Sequence, residues 1–318
     1  MRRRQTISML ALAPLVVLHP RPLRAQVTRD KIQVALVPVE SQTNLYYGVK
    51  SGMFARAGLD VTLTATTSGA AATTAVITGA AQVGSTSMLP LFAAHIRGIP
   101  VLMVAPAVIN TAQNPFGMLQ IAADAPYKTG ADLNGKTVAS PTLGDMNSLA
   151  TKAWVDKTGG DWRSLKWVEI PNAATEAALV GHRIAAAIML SPQLDASLAA
   201  GTTKSLAYAY GAIGPMIMGT AFIAHREYVA QHTDVMRRFV KTLMEATTYV
   251  NGHPAETAPL VAELAKLDLA DIGKMHRTLN GTTLDAALVQ PVIDAAAKFE
   301  QIAHGFPARE IFWSEGPT

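Results

Sequence analysis

Leu45–Asp60 reads LYYGVKSGMFARAGLD, and its punctuation decides the fold. A short β-branched run, Ile32–Val37, precedes it, and a helix is predicted over Leu45–Ala57. The turn Ala57-Gly58-Leu59-Asp60 then opens a second strand, Val61–Thr66. Thr66-Thr67-Ser68-Gly69 starts the next helix, and Gln82-Val83-Gly84-Ser85 the next strand. Short apolar runs that alternate with helical stretches indicate α/β units around a buried sheet. In such units each strand hands over to a helix N-terminus at one edge of the sheet. Free backbone N–H groups gather there and can hold a small ligand without a catalytic side chain.

The alternation continues along the chain. Ala70–Thr78 and Met88–Ile96 read as helices, with Val83–Ser85 and Val101–Val108 as strands, and polar Asn110–Pro115 as a crossover. A second set follows: strands at Met118–Ile121, Thr137–Ser140, Trp167–Ile170, Ile184–Met189 and Ser205–Ala209, and helices at Asp145–Lys157, Ala173–Val180 and Pro192–Ala200. Gly211–Pro215 reads as a return crossover into the strand Gly219–Ala224, after which the pattern is helical to about His304. Three long helices are expected there, Thr233–Asn251, Pro254–Lys266 and Leu284–His304, packed against the first lobe.

Composition bounds the chemistry. The chain has 318 residues, 49% of them hydrophobic, enough for a large core in one or two domains. Met1-Arg2-Arg3-Arg4 followed by apolar Ile7–Leu18 reads as a secretory signal, with cleavage expected near Ala25. Its apolar stretch is too short to span a bilayer. Of 27 Lys and Arg, five lie in residues 1–25, which leaves 22 basic against 23 acidic residues in the mature chain. The basic balance therefore belongs to the export segment and gives no case for nucleic acid. The absence of cysteine excludes disulfides, thiolate metal sites and a lipidated N-terminal Cys, so the exported chain is expected free in a periplasm.

Several of these stretches resemble a known family. Leu45-Tyr46, Gly52, Phe54 and Gly58-Leu59-Asp60-Val61, then Ser68-Gly69, Gly79 and Val83-Gly84, are similar in order and spacing to the periplasmic substrate-binding proteins of ABC importers for sulfonates, nitrate, taurine and thiamine-pyrimidine precursors, the NMT1-like family. Asp132–Ala139 resembles the turn and strand that open that family's second lobe, and Phe222-Ile223-Ala224, Phe239, Ala246 and Asn251-Gly252-His253-Pro254 its C-terminal passage. The resemblance implies a type II periplasmic-binding-protein fold, two α/β lobes around a hinged ligand cleft. The expected division is 1–25 signal peptide, 26–112 first part of lobe 1, 113–214 lobe 2, and 215–318 return to lobe 1. Two departures concern the ligand: Gln82 stands where the family usually has an acidic residue, and Ile184-Ala185-Ala186 where it has Val-Asp-Ala.

Candidate ligand contacts follow from the strand-to-helix junctions. Ser68 and Gly69 start one helix, where the hydroxyl either caps it or leaves N–H groups for an anion. Ser87, with Ser85 and Thr86, offers the same choice before Met88. Asn44 and Tyr46 begin the first helix, and Tyr46 either stacks on a ligand or fills the core. Phe116 follows the first crossover. In lobe 2, Thr142, Gly144 and Asn147 supply neutral groups and close backbone approach. Asp145, which would repel an anion in the cleft, reads first as an N-cap. Asn172 and Ser191 start two further helices, each a cap or a contact, and one of Tyr208 and Tyr210 is expected to close over the ligand.

Nothing in the pattern suggests a metal, a cofactor or catalysis. The eight histidines are scattered, and no HExxH, GxSxG elbow, Walker loop or strand-linked GxGxxG occurs. The family's pyrimidine-forming enzyme relatives depend on a cysteine-rich motif that this chain lacks. The expected function is capture of a small organic solute, a sulfonate or carboxylate first and a neutral aromatic heterocycle second, for delivery by a monomer to a membrane permease. Two alternatives stay open: an enzyme on the same fold, using Asp145 with His182, and a binding partner of a sensor.

Overall fold

A computed structural model describes residues 29–265, 268–273 and 277–317. The expected signal segment lies outside the described residues, as do His19 and His276.

Lobe 1 is built on a mixed sheet of β1 (Asp30–Leu36), β2 (Leu59–Ala65), β3 (Val83–Ser87), β4 (Val101–Pro106) and β12 (Thr220–His225), in the order β2-β1-β3-β12-β4. β2, β1 and β3 are parallel, while β12 runs antiparallel between β3 and β4. The lobe 2 sheet holds β6 (Gly117–Ala122), β7 (Thr137–Ser140), β8 (Lys166–Glu169), β9 (Ala186–Leu190) and β10 (Thr203–Ala207), in the order β10-β6-β9-β7-β8. Here β7 lies parallel to β8 and β9, and β6 runs antiparallel to both its neighbours, β9 and β10. Between the lobes lies a three-stranded ribbon. β5 (Val108–Thr111) pairs antiparallel with β11 (Met216–Met218) and with β13 (Leu279–Asn280). The ribbon thus takes in the start of the crossing anticipated at Asn110–Pro115 and the residues just after the one anticipated at Gly211–Pro215.

The helices of lobe 1 are α1 (Thr43–Lys50), α2 (Met53–Arg56), α3 (Gly69–Ile77) and α4 (Met88–Ile96). Those of lobe 2 are α5 (Met146–Lys157), α6 (Asn172–Val180) and α7 (Gln193–Ala199). The single helix expected over Leu45–Ala57 is broken, because Gly52 adopts a left-handed φ of 74°. The break turns Phe54 into the core, where its ring stacks on Phe239 at 5.3 Å. Gly48 permits that packing, since a Cβ there would lie 2.6 Å from the Phe54 ring.

After α8 (Arg226–Gln231), the long α9 (Thr233–Gly252) buries Met236, Phe239, Val240, Leu243, Ala246, Thr247 and Val250. That spacing is the apolar stripe of an amphipathic helix lying on a core. α10 (Pro254–Ala265) and α11 (Leu269–Ile272) follow, and then the unanticipated β13. Asn251, in the last turn of α9, places this strand: its Nδ2 donates to Asn280 O at 2.7 Å and its Oδ1 accepts from Asn280 N at 3.3 Å.

The last helix, α12 (Ala286–Lys298), corrects the expectation that all three C-terminal helices pack on lobe 1. Phe299, just beyond it, meets Trp162 of lobe 2 edge-to-face at 5.5 Å, and Lys298 pairs with Asp156 at 2.7 Å. Further on, Phe306 meets Phe92 of lobe 1 edge-to-face at 5.5 Å, and Trp313 N donates to Met103 O at 2.9 Å. The segment is apolar on two faces and so joins both lobes. Phe299→Ala, removing a ring that is 3% exposed, is expected to cost about 3–5 kcal/mol of stability, read from urea unfolding; an unchanged midpoint would refute this role for the strap.

Candidate functional site

In both lobes the parallel strands end on the side where the following helices begin, and the starts of α6 and α7 border the gap between the lobes. A cleft of about 480 Å³ opens there. Its lobe 1 wall is the turn after β1, Pro38 to Ser41. Its lobe 2 wall is Asn172 and Ala173 at the start of α6 and Leu190 to Gln193 after β9. Pro115 and Phe116 close it at the ribbon, and Leu264 and Thr278 at the C-terminal side. A depression of about 540 Å³ elsewhere is lined by residues 283–286, 309, 312–314 and 316.

The ribbon fixes where Phe116 sits. Asn110 on β5 is 1% exposed, and its Oδ1 accepts from Phe116 N at 3.1 Å. On the returning strand side, a Cβ on Gly219 would lie 2.7 Å from Asn110 Nδ2, so only glycine lets the chain pass this close. Phe116, Asn172 and Ser191, three of the sequence candidates, are thereby gathered on the cleft.

Other candidates have different surroundings. Asn44 is fully buried; its Nδ2 donates to Thr247 Oγ1 of α9 at 2.8 Å, and its Oδ1 accepts from Leu45 N at 2.8 Å. It ties α1 to α9. Tyr210 is also fully buried, and its hydroxyl donates to Asn147 Oδ1, so this pair is spent inside lobe 2. Burial first, and then Asp145 and Tyr208, hold the Tyr210 phenol well above its ordinary value. The Tyr208 ring lies 6.1 Å from that of Tyr210, and its buried hydroxyl has no hydrogen-bond partner among the described residues. Half-buried Tyr46 packs against the lobe 1 core.

The remaining candidates line the two sheet edges outside the cleft lining. Ser68 caps α3, accepting from Ala71 N at 3.1 Å. Gly69 lies close over β3, where a Cβ would meet Thr86 Oγ1 at 3.0 Å and Ser87 N at 3.2 Å. Ser87 precedes α4 and makes no side-chain capping bond. Thr142 and Gly144 are exposed after β7, with Gly144 at a φ of 77°. Asp145 is the α5 N-cap expected for it, accepting from Ser148 N at 2.8 Å and Ser140 Oγ at 2.6 Å.

Asp145 does not face His182. The latter precedes β9, at the opposite edge of the sheet from the end of β7, and its Nε2 lies 3.3 Å from Asp124 Oδ2. The acid–base pair that an enzyme reading required is not assembled.

Sequence reasoning missed Glu40, a charged residue of the cleft wall. Its Oε1 accepts from Arg277 Nε at 2.8 Å and its Oε2 from Thr278 N at 3.2 Å. The side chains are 14% and 19% exposed. Arg277 also donates from Nη1 to Pro254 O at 3.0 Å and from Nη2 to Thr257 Oγ1 at 3.4 Å. The partners lie 237 residues apart, and no local signal connects them.

With this geometry in place, comparison with known proteins decides the family. The family model described as "NMT1/THI5 like" matches residues 40–257, more than half of the chain. The chain belongs to the NMT1/THI5-like family. Among curated proteins, this family member is 26% identical over 133 residues to the formylaminopyrimidine-binding protein of Halalkalibacterium halodurans. That match covers 42% of this chain and 39% of the relative. Among solved structures, the periplasmic aliphatic sulphonate binding protein SsuA from Escherichia coli superposes with a TM-score of 0.75 at 19% identity, covering 91% of this chain and 93% of that one. A ligand-binding component of an ABC-type import system from Staphylococcus aureus gives 0.73 at 15%, covering 89% and 96%. The fold of this NMT1/THI5-like chain is therefore the two-lobe, type II periplasmic-binding fold.

Two measurements check the reassigned residues. Asn44→Ala is expected to lower stability by about 1–2 kcal/mol in urea unfolding, as loss of a buried tie should; no loss would return Asn44 to the ligand candidates. Burial raises the Asp145 carboxyl above its ordinary 3.8, and the Ser140 and Ser148 bonds oppose that without cancelling it. Its protonated form is thus favoured in the fold, and its contribution, present in acid, is lost as pH rises through the raised value. Asp145→Asn keeps a capping group and is expected to flatten the fall in stability above pH 3.8; a variant curve that still falls as the wild type does would refute this.

Proposed function

We propose that this chain is the exported solute-binding component of an ABC importer, capturing a small organic molecule between its lobes and presenting the closed form to a membrane permease. The observation that supports it is the cleft itself: one wall from each lobe and an aromatic ring at the ribbon between them. Binding energy there has one evident use, which is to favour the closed arrangement by the difference in affinity between closed and open forms.

The relatives name two solute classes, sulfonates for SsuA and formylaminopyrimidine for the curated relative. Helix N-termini around the cleft suit the first class, as expected for a sulfonate or carboxylate. Phe116, Asn172 and Ser191 suit a flat heterocycle, the second reading. Export to a periplasm agrees with the arginine-led apolar N-terminus and with the kind of proteins that share the fold.

The test is a thermal-shift and small-angle-scattering screen of the mature protein against sulfonates, aromatic carboxylates and pyrimidines. A true ligand raises the melting midpoint by mass action, by about 2.7 kcal/mol of added stability at a hundredfold excess over Kd. It should also shrink the radius of gyration as the lobes close. If no class moves either quantity, the binding-protein assignment fails.

A further inference from the structure

Helix α12 ends on a residue type that its backbone does not favour. Glu300 N donates to Ala297 O at 3.2 Å and Gln301 N to Ala296 O at 2.8 Å, the bond pattern of a left-handed helix stop. Glycine takes such a position without steric cost. Here a glutamate holds it, at a φ of 59°. A side chain kept at a strained backbone position points to a use for that side chain.

That use lies on lobe 2. Glu300 Oε1 accepts from Arg163 Nη2 at 2.6 Å. Beside it Lys298 pairs with Asp156 at 2.7 Å, and Lys152 Nζ donates to Phe299 O at 3.3 Å. Burial lowers the half-buried Lys152 ammonium and Glu300 opposes that, so the carboxylate acts on two cations of lobe 2. Arg163 and Lys152 in turn lie over Trp162, 4.3 and 5.0 Å from its ring centroid, and Phe299 meets the same ring edge-to-face.

The two ends of the strap hold in different ways. On lobe 1 the hold is buried and partly main-chain: Phe306 and Trp313 are 8% and 6% exposed, and Trp313 N donates to Met103 O. On lobe 2 both ion pairs are open to solvent. A crevice of about 440 Å³ runs beside them, lined by Asp156 of α5, Ala212 and Ile213 of the return crossing, and Pro291 and Lys298 of α12. The strap therefore has room to shift over lobe 2, whereas on lobe 1 it would have to break main-chain bonds. Burial of Phe299 against Trp162 is non-directional, so the ion pairs are what give the lobe 2 grip a preferred angle.

We infer that Glu300 is a latch on the angle between the lobes: its pair with Arg163, backed by Lys298 with Asp156, holds the strap to lobe 2 in this arrangement, and its release lets lobe 2 rock while the strap stays with lobe 1. An exposed pair shifts an equilibrium by up to about fivefold. That is small against the stability of a domain. It is enough for two lobes whose minor arrangement is populated at about 0.1–10%. The latch acts in the solute-free protein and does not depend on which solute the cleft takes.

Glu300→Gly separates the latch from the stability of the fold, because it removes the carboxylate and relieves the left-handed backbone at once. The chain has no cysteine, so Thr74→Cys in α3 and Lys204→Cys in β10, both exposed, carry one spin label on each lobe. Interlobe distances are read by pulsed electron paramagnetic resonance on the mature, solute-free protein. The labelled wild type is compared with Glu300→Gly, Arg163→Glu, and the charge swap Arg163→Glu with Glu300→Arg, each checked by circular dichroism. In Glu300→Gly the urea midpoint is expected to stay level or rise, while the minor interlobe distance grows by up to about fivefold. Arg163→Glu is expected to move the distances likewise, and the swap to restore the wild-type distribution. If the swap does not fold, high salt takes its place: by screening the pair it has to move the wild type toward the Glu300→Gly distribution. Superimposable distributions in the wild type and Glu300→Gly overturn the latch, whatever the midpoint does. A change that neither the swap reverses nor salt reproduces overturns it as well.

Discussion

The antiparallel pairing of Val108–Thr111 with Met216–Met218 is the constraint on which the rest of this molecule depends. The chain leaves lobe 1 through one of these strands and returns through the other, so their hydrogen bonds hold both crossings in one ribbon. A two-stranded ribbon alone is marginal in water. Here Leu279–Asn280 adds a third strand, itself held by the Asn251 side chain. The consequence is local and geometric. Asn110, on the central strand, can bond to the Phe116 backbone, which sets an aromatic ring where the lobes meet.

Around that ribbon the two lobes are α/β units of the same kind. The C-terminal strap adds a further connection, gripping lobe 2 through Phe299 and Lys298 and lobe 1 through Phe306 and Trp313. Any change in the angle between the lobes has to be absorbed by the ribbon and by this strap together. Closure is thereby restricted to motions that both can follow, which is what gives a ligand's modest differential affinity a defined outcome.

The chemistry of the cleft is sparing. Phe116 supplies a face, Asn172 and Ser191 supply neutral groups, and Glu40 supplies the carboxylate. The Glu40–Arg277 pair is only partly exposed, so it is screened less than a surface pair and its position matters more than its net charge. Polar side chains that seemed equally eligible are used elsewhere: Asn44 between α1 and α9, Asn147 and Tyr210 in the interior of lobe 2, Asp145 as a helix cap.

The sequence by itself determined the alternation of strands and helices, the family, and the junctions where a ligand can be met. These depend on local periodicity and on Gly, Ser and Pro at turns, signals that span a few residues. It could locate the Asn172 and Ser191 junctions and Phe116 because each follows directly from a strand or a crossover. Only the tertiary structure decided which junction residues face the cleft and which are consumed by packing, since Asn44 meets a partner 203 residues away and Tyr210 one 63 residues away. The pairing of Glu40 with Arg277, the strand at Leu279–Asn280 and the two-sided strap likewise join distant parts of the chain. An asparagine at a helix start has the same local pattern whether its amide meets a ligand or a buried threonine, and the difference lies in what the rest of the fold brings against it.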